Sequence, residues 1–376
     1  MTTIISEPMQ RSRGMRDLLP ADMRAFRQVE DAFRAAASRW GYDEIRTPTL
    51  ETYSLFTAAG ALTPEMLSRV YSFLDWDGWS GERVVLRPDS TIPVTRAAYE
   101  GGIEPPARLS YIQNVFRFAE TGDREDWQCG IEFLGAPAVV GDLEAISLAC
   151  ETFDALGLKP EIRLSHVGVV KAMANGSSNG GSAQREAFVT LAGSEGGIGL
   201  LGNLRAIAGT ALAGAVEPLG ELEAIARSLA ESGREVVIDL SLPRDFEYYS
   251  GVVFEFTSNG ETWGASGRYT PSGATTAATA CGLALEASRI SSHLTSRTRK
   301  RMVVSIVPGT PADFGAAVAC ARALHRSGVA ASLADSPSAS EIAVTITNGR
   351  LLARTPGGER EMAALDDVVG LLIQFK

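Results

Sequence analysis

The chain lacks the residue clusters that are typical of zinc-binding and disulfide-bonded proteins. Its 376 residues include only four cysteines and three histidines, and no C-x-x-C pair occurs. A metal site is therefore not expected, because zinc is usually held by closely spaced cysteines and histidines. The cysteines are Cys129, Cys150, Cys281 and Cys320. We expect them to be free, buried thiols in a reducing compartment.

Long apolar segments are also missing. No run of about 18 apolar residues occurs, so no membrane span is expected. The N-terminus shows neither the charged region nor the apolar region of a signal peptide. These absences predict a cytoplasmic protein.

Positive charge is scarce. The chain has 35 lysines and arginines against 45 acidic residues, a net charge of −10. Proteins that bind nucleic acid through its phosphates usually carry a basic excess on at least one domain. The densest basic run, 297–301, is short and is typical of a solvated linker. No nucleic-acid partner is therefore expected.

The apolar pattern predicts a mixed fold in which an antiparallel sheet is flanked by helices. Apolar residues recur at spacings of three and four after Pro20, which predicts a helix. Two long segments, 107–118 and 127–135, are joined by a short acidic turn, and this arrangement predicts an antiparallel hairpin. Residues 281–294 are expected to form a closing helix.

Changes in composition predict two domains. The first covers residues 1–298 and includes a helical insertion at about 170–232, between two sheet-forming regions. In residues 299–376 strands alternate with helices, which predicts a small α/β domain. The predicted fold class is therefore α/β, of the α+β type.

Seven short polar segments lie far apart along the chain and together supply acids, amides, tyrosines and arginines. They are GYDEIRTPTLE at 41–51, LRPDSTIP at 86–93, Phe116-Arg117, QCGIEFLG at 128–135, PRDFEYYSG at 243–251, SGRY at 266–269 and GLALEASRI at 282–290. One antiparallel sheet could direct their arginines into a single pocket. The four arginines are Arg87, Arg117, Arg244 and Arg268. Such a pocket would suit a small zwitterion.

Taken singly, these residues allow simpler interpretations. Gln128, Gly130 and Glu132 share one face of a strand, and Gly130 is expected to leave room for a ligand. The same pattern is typical of an exposed polar face. Arg117 alone fits an anion ligand or a solvated strand residue, and Asp89 fits an N-cap of the following helix.

Taken together and in order, the seven segments resemble the catalytic core of the class II aminoacyl-tRNA synthetases, in particular the histidyl branch. Segment 41–51 is similar to motif 1, which lies at that family's dimer interface. Arg117 stands at the motif 2 arginine, and Arg289 stands at the motif 3 arginine. The resemblance covers roughly residues 12–295. It implies a class II synthetase-like sheet and a self-dimer formed through motif 1.

The resemblance also implies a pocket for free histidine. Segments 243–251 and 266–269 resemble the family's histidine-specific R-G-x-D-Y-Y and G-G-R-Y sequences. The implied ligands are Asp89, Thr91 and Gln128 at the amino group, Arg117 and Arg244 at the carboxylate end, and Glu132, Tyr249 and Tyr269 around the imidazole, with Tyr248 also in the site. A carboxylate such as Glu132 would accept a ring N–H.

The family's ATP-binding parts are changed in this chain. Ala119 stands where an adenine-contacting glutamate belongs, and the loop that follows is short and acidic. Its acids are Glu120, Asp123, Glu125 and Asp126, against the single basic residue Arg124. Like charges oppose the binding of a triphosphate. Two further departures are Asp89 in place of the usual glutamate and a C-terminal domain that is trimmed relative to the family's anticodon-binding domain.

A kept amino-acid pocket beside a changed ATP site resembles a paralogous family, the regulatory subunits of the short-form ATP phosphoribosyltransferase. That enzyme catalyses the first step of histidine biosynthesis. The resemblance implies a non-catalytic protein without a cofactor, which binds histidine and forms a hetero-oligomer with the catalytic subunit. Two alternatives stay open: a histidyl-tRNA synthetase with a degenerate motif 2 loop, and an amino-acid ligase acting on a protein or a small molecule.

Overall fold

A computed structural model of the chain describes residues 11–58, 64–76, 81–175, 186, 189–242, 249–271, 279–294, 302–336 and 342–375. The chain divides into two compact units, Met1–Thr295 and Ser296–Lys376. The predicted domain boundary at residue 298 and the predicted insertion at 170–232 stay predictions. Within the described ranges, no helix combines the length and the hydropathy of a membrane span.

The first unit is built on an eight-stranded sheet. The strands of this unit are β1 (Asp43–Glu44), β2 (Leu50–Thr52), β3 (Ser72–Trp76), β4 (Gly81–Leu86), β5 (Ala107–Phe116), β6 (Glu125–Leu134), β7 (Glu161–His166), β8 (Val236–Ile238), β9 (Tyr249–Ser258), β10 (Glu261–Tyr269) and β11 (Ala280–Glu286). The large sheet has the order β1-β5-β6-β11-β10-β9-β7-β8, and β2-β4-β3 form a smaller sheet. Neighbouring strands of the large sheet are antiparallel except for the two end pairs, β1–β5 and β7–β8.

Helices cover this sheet on both sides. They are α1 (Pro20–Arg39), α2 (Tyr53–Ala58), α3 (Pro64–Ser68), α4 (Thr91–Glu100), α5 (Val140–Leu156), α6 (Val167–Asn175), α7 (Ile198–Ala211), α8 (Val216–Glu231) and α9 (Ala287–His293). Phe33 of α1 and Phe153 of α5 are buried in one core with Cys129, Ile131 and Phe133 of β6. Because side chains alternate along a strand, Gln128, Gly130 and Glu132 of β6 lie on the opposite face.

Helix α4 packs on that opposite face, at one end of the sheet. Its Val94 and Ala98 are fully buried against Tyr111, Leu134 and Tyr269 of the strands. The rest of this face carries the polar residues of interest. The predicted antiparallel sheet flanked by helices is therefore confirmed.

The helix predicted at 281–294 is partly wrong. Residues Ala280–Glu286 form β11, and only Ala287–His293 are helical. Strand β11 lies between β6 and β10, and both neighbours hydrogen-bond to it. These backbone partners are distant in sequence, so the local apolar pattern does not reveal them.

The segment between β7 and β8 is helical where it is described. Helices α6, α7 and α8 contribute Val169, Leu204 and Leu222 to the same core as α1 and α5. His166, at the end of β7, is buried and its Nε2 lies 3.2 Å from Glu221 Oε2 on α8. The helices therefore share the core of the sheet domain.

The second unit has its own sheet and core. Its elements are β12 (Val304–Pro308), α10 (Phe314–Arg326), β13 (Ala331–Leu333), β14 (Ala343–Thr347), β15 (Arg350–Thr355), β16 (Gly358–Met362) and α11 (Leu365–Leu372). The strand order is β13-β12-β14-β15-β16. Val304, Leu324 and Val344 are fully buried in its core. The sequence did not predict the β15–β16 hairpin, because the segment is mostly exposed and charged.

Candidate functional site

The candidate site lies on the face of the large sheet that α1 and α5 do not cover. Three rows of residues cross strands β5, β6 and β11 in register. They are Gln113–Gln128–Glu286, Tyr111–Gly130–Ala284 and Leu109–Glu132–Gly282. The face thus carries an acid at each end, Glu132 and Glu286, with small residues between them.

Glu132 is a fully buried carboxyl group with unused hydrogen-bonding capacity. Its side chain is 0 % exposed, and its Oε2 accepts a hydrogen bond of 2.7 Å from the Tyr269 hydroxyl. Its Oε1 has no hydrogen-bond partner among the described residues. Burial raises the pKa of Glu132 to about 8, and the nearby hydroxyls of Tyr269, Thr91 and Tyr111 partly oppose this shift. An unpaired buried oxygen is unfavourable and suits a polar ligand.

Glycine at position 282 makes room for this carboxyl group. A Cβ atom at Gly282 would lie only 2.5 Å from Glu132 Oε2. On the next strand, Gly267 pairs with Gly282 and Ala265 pairs with Ala284. The floor of the site beside Glu132 is therefore formed by small residues.

The space above Gly130 is already filled, so the expectation that it leaves room for a ligand is wrong. A Cβ atom at Gly130 would lie 2.3 Å from the Tyr111 hydroxyl oxygen and 2.2 Å from its ring carbon. Tyr111 is 1 % exposed, and its hydroxyl has no hydrogen-bond partner among the described residues. Tyr111 is a site residue that no sequence pattern singles out. It pairs with Gly130 across the hairpin, which a sequence shows only when the register is known.

Tyr269 and Tyr249 lie together at the α4 end of the site. Tyr249 pairs with Tyr269 between β9 and β10, and it packs against the small core that contains Tyr269. The Tyr269 hydroxyl also lies 3.3 Å from Thr95 Oγ1 on α4. These two tyrosines and Glu132 are thus brought together, as the resemblance implies.

Asp89 caps helix α4. Its Oδ1 accepts a hydrogen bond of 3.1 Å from the Ile92 backbone N–H. Burial raises the pKa of Asp89, while the backbone N–H groups of Ile92, Thr91 and Ser90 and the charge of Arg117 act in the opposite direction. One carboxylate oxygen therefore binds the first turn of α4, and the predicted role of Asp89 at the amino group stays a prediction. Thr91 starts α4 and lies near Glu132 and Tyr111.

Gln128 is held by Glu286, an acid that no sequence pattern singles out as a site residue. Gln128 is 3 % exposed, and its Nε2 donates a hydrogen bond of 3.0 Å to Oε1 of Glu286. The other oxygen, Oε2, is buried and has no hydrogen-bond partner among the described residues. Asp126 is close by, and burial together with the Glu286 charge raises the pKa of Asp126 to about 6.

Arg117 remains available at the edge of the site. It follows β5 directly, and its Nε donates a hydrogen bond of 2.7 Å to the Pro88 carbonyl. Its charge acts on both Asp89 and Asp126. This position fits the ligand for a carboxylate.

Arg87 and Arg268, by contrast, do not point into the pocket as expected. Arg87 donates hydrogen bonds to the carbonyls of Thr47, Pro48 and Asn114. Arg268 lies on the opposite face from Tyr269 because neighbouring strand residues alternate. There it forms an ion pair of 2.7 Å with Asp142. Both arginines are 5 % exposed or less and serve the structure itself.

The acidic loop between β5 and β6 uses its one basic residue internally. Arg124 donates a hydrogen bond of 2.7 Å from Nε to the Ala119 carbonyl, and its guanidinium lies 4.3 Å from the centre of the Phe118 ring. Its aliphatic part packs against Gly14. The loop acids Glu120 and Asp123 are exposed. Arg124, the basic residue of the loop, is therefore already paired within the loop and is not free to bind a phosphate chain.

Two predicted ligands, Arg244 and Tyr248, lie outside the described residues. Their roles stay predictions. All four cysteines are buried free thiols, as predicted. Among the described residues, no group of histidine, cysteine and acidic side chains could hold a metal ion.

A separate cavity of about 730 Å³ lies at the β7–β10 side of the sheet. Arg163 occupies it and forms ion pairs with Glu195 and Asp239, the latter at 3.2 Å. The cavity lining is acidic, with Glu161 and Glu255 in addition to these two acids against Arg163 and Lys159. Because Arg163 already pairs with acids of the lining, the cavity has a weaker claim to a ligand than the site around Glu132.

A sequence model described as histidyl-tRNA synthetase matches residues 14–192 and 174–290. The chain belongs to this family. A crystal structure titled an ATP phosphoribosyltransferase regulatory subunit/histidyl-tRNA synthetase from Bacillus halodurans has the same fold. It superposes with a TM-score of 0.73 at 24% identity and covers 87% of this chain and 93% of that chain.

The relatives of this chain include two kinds of protein. The ATP phosphoribosyltransferase regulatory subunit of Dehalococcoides mccartyi is 43% identical over 291 residues, which cover 69% of this chain and 70% of that protein. The histidine–tRNA ligase of Methanospirillum hungatei is 29% identical over 273 residues, covering 67% and 66%. The chain therefore belongs with the ATP phosphoribosyltransferase regulatory subunits, and the predicted resemblance is confirmed.

Proposed function

We propose that this chain binds free histidine and regulates a catalytic ATP phosphoribosyltransferase subunit, without catalysing a reaction itself. The observation that carries the proposal is the unpaired, fully buried oxygen of Glu132 beside Tyr269. A buried polar group without a partner rejects apolar ligands and selects one that can pair with it. The relatives named as regulatory subunits support the same conclusion.

Histidine would lie along the face of the sheet. Its imidazole would meet Glu132, Tyr269 and Tyr249, with Tyr248 nearby. Its carboxylate would meet Arg117 and Arg244. The proposed ligands of its amino group are Asp89, Thr91 and Gln128.

The absence of a triphosphate site is proposed from the loop between β5 and β6. Its basic residue, Arg124, is engaged with Ala119 and Phe118. Asp126 and Glu286 add negative charge beside Arg117 and Arg289, and like charges oppose the binding of a polyphosphate. The chain therefore requires no cofactor in this proposal, and ATP binds to the partner.

Regulation requires histidine to bind two states of the complex with different affinities. Couplings of this kind are typically about 1–3 kcal/mol. We further propose that the chain forms a self-dimer through segment 41–51, acts in the cytoplasm and binds no nucleic acid. The net charge of −10 supports the last point.

Co-expression with a short catalytic phosphoribosyltransferase subunit tests this function. The two proteins should co-elute in size-exclusion chromatography, and transfer of the phosphoribosyl group to ATP should increase. Histidine should inhibit the reconstituted complex. Two independent peaks with unchanged transferase activity would contradict the proposal.

The 29% identical ligase supports a second candidate function, that of a histidyl-tRNA synthetase. Histidine-dependent exchange of pyrophosphate into ATP tests this alternative. The purified chain should show no exchange above a blank without enzyme, and it should charge no tRNA. Exchange that disappears in Arg117→Ala would establish a synthetase instead.

A further inference from the structure

We propose that Glu286 is a specificity-determining residue of this pocket, which accepts the α-ammonium group of the bound amino acid. The proposal rests on the proposed histidine site and deepens it. Glu286 has no role in the ligand set that the resemblance implies. Its own contacts suggest the role.

The carboxylate of Glu286 has one oxygen that is hydrogen-bonded and one that has no partner among the described residues. Glu286 Oε1 is held by Gln128 at 3.0 Å, while Oε2 is buried and has no hydrogen-bond partner among the described residues. At the other end of the same row, Gln113 is 2 % exposed, and its Nε2 also has no such partner. A fixed acid with one unpaired buried oxygen is suited to receive a donor from a ligand.

Glu132 and Glu286 lie far enough apart to bind the two ends of one ligand. Glu286 pairs with Gln128, four residues along β6 from Glu132, so the two rows are about 13 Å apart. Side chains stand roughly perpendicular to a sheet. Two hydrogen bonds of about 2.9 Å each would then leave about 7 Å for the ligand. An extended histidine separates its ring N–H nitrogen from its ammonium nitrogen by about 6 Å. The two glutamate side chains would therefore lean toward each other along the strands to reach both groups.

Between Glu132 and Glu286, the middle row of residues forms the surface of the sheet on which a ligand would lie. The middle row consists of Tyr111, Gly130 and Ala284, and Ala265 continues it on β10. Small side chains and the ring of Tyr111, which lies over Gly130, therefore form this floor. A ligand could lie flat across it and reach both carboxyl groups.

Glu286 is a better candidate for the ammonium group than Asp89, because the start of α4 already binds the Asp89 carboxylate. The backbone N–H groups at the start of α4 surround its carboxylate. Glu286 instead lies beside Asp126, where the two negative charges disfavour each other and the charges of Arg289 and Arg117 only partly offset them. An ammonium group placed between them would relieve this repulsion, whereas a phosphate would increase it.

Calorimetric titration with three ligands tests the proposal. They are L-histidine, histamine, which lacks the carboxylate, and imidazole-lactate, which has a hydroxyl in place of the ammonium group. The intact wild-type chain should prefer histidine to imidazole-lactate by about tenfold or more. Glu286→Gln should weaken histidine and histamine by about tenfold and leave imidazole-lactate within about twofold.

Glu120→Gln is the matched control, because it makes the same chemical change on an exposed loop acid. It should leave all three affinities unchanged. If wild type binds histidine and imidazole-lactate equally, or if Glu286→Gln weakens all three ligands equally, the assignment of Glu286 is wrong while the histidine site stands. If wild type binds no histidine, the proposal and the proposed function both fail.

Discussion

At the scale of single residues, Glu132 is the residue on which the proposed binding of histidine most depends. It is 0 % exposed, and its pKa of about 8 means that the empty pocket mostly holds it in the protonated form at neutral pH. A neutral carboxyl group can give a proton to an arriving imidazole and then face the resulting cation as a carboxylate. The buried acid and the titratable ring are therefore matched partners.

Glu132→Gln keeps the size of the side chain but cannot carry a charge or supply a proton. Charge-assisted hydrogen bonds are worth roughly 1.5–3 kcal/mol. We expect the affinity for histidine to fall about ten- to a hundredfold, as measured by calorimetry. Feedback inhibition of the reconstituted complex should weaken in parallel. Normal binding of histidine by this variant would make Glu132 a structural residue of the hairpin.

The same residue should make stability depend on pH. The pKa of Glu132 is raised from an ordinary value of 4.5 to about 8, so the folded chain keeps a proton that the unfolded chain releases. This stabilising contribution is fully present below pH 4.5 and is lost as the pH rises through about 8.

Urea unfolding without histidine, at a series of pH values, measures this effect. The wild-type protein should lose stability across this window, and Glu132→Gln should show a flatter profile. Asp126 titrates in the same direction in both proteins, so its contribution cancels in the comparison. Parallel profiles for the two proteins would contradict the assignment.

At the scale of secondary-structure elements, a buried ion pair joins β10 to the first turn of α5. Arg268 binds Asp142 at 2.7 Å, and their side chains are 6 % and 0 % exposed. Arg268→Ala would leave the Asp142 carboxylate buried without its counter-ion. Breaking a buried pair in this way typically destabilises a protein by about 3–5 kcal/mol. Denaturant unfolding should show a loss of this size.

The surface pair Arg234–Asp154 provides the comparison, because its side chains are 30 % and 45 % exposed. Exposed pairs contribute about 0–1 kcal/mol, so Arg234→Ala should change stability by no more than this amount. Similar losses in both variants would mean that burial does not distinguish the two pairs.

Local pattern was enough to predict the elements that depend on nearby residues. Helix α1 follows from its apolar spacing after Pro20, and the β5–β6 hairpin follows from two long segments with a short turn. Strand β11 could not be predicted in this way. Its apolar residues are compatible with a helix, and only the pairing with β6 and β10 makes it a strand.

The site shows the same division. Glu132 and Tyr269 were identified through the family resemblance, and the structure brings them into contact. Tyr111 and Glu286 enter the site through cross-strand register, which single-sequence patterns do not give. Arg268 was misplaced because its neighbour Tyr269 is in the site, although alternation along a strand puts the two on opposite faces.

At the scale of the whole molecule, the small β2-β4-β3 sheet exposes an apolar surface. Phe73, Leu74 and Trp76 on β3 are 47 %, 65 % and 65 % exposed, and Leu50 on β2 is 45 % exposed. Leu50 belongs to segment 41–51, which the resemblance places at a dimer interface. Leu50 and Phe73 share one face of this sheet, because they pair with Leu86 and Val84 of β4. Exposed apolar residues grouped on one face often mark an interaction surface.

We therefore expect a dimer in sedimentation experiments, and Phe73→Glu should shift it toward monomer by placing a charge on the face that carries Leu50. Leu333→Glu in the second unit is the matched control, because Leu333 is also exposed, at 54 %. It should leave the dimer intact. A wild-type monomer, or equal effects of both substitutions, would contradict the proposed interface.

Gly282 also has a consequence for genetics. A side chain at this position would push the Glu132 carboxyl group out of place, since even a Cβ atom would lie 2.5 Å from Oε2. A single codon change could thus close the pocket from inside a buried strand without altering the surface. Cells growing on a toxic histidine analogue that mimics feedback would gain by such a change. We expect selection for resistance to recover substitutions at Gly282, in strains that overproduce histidine.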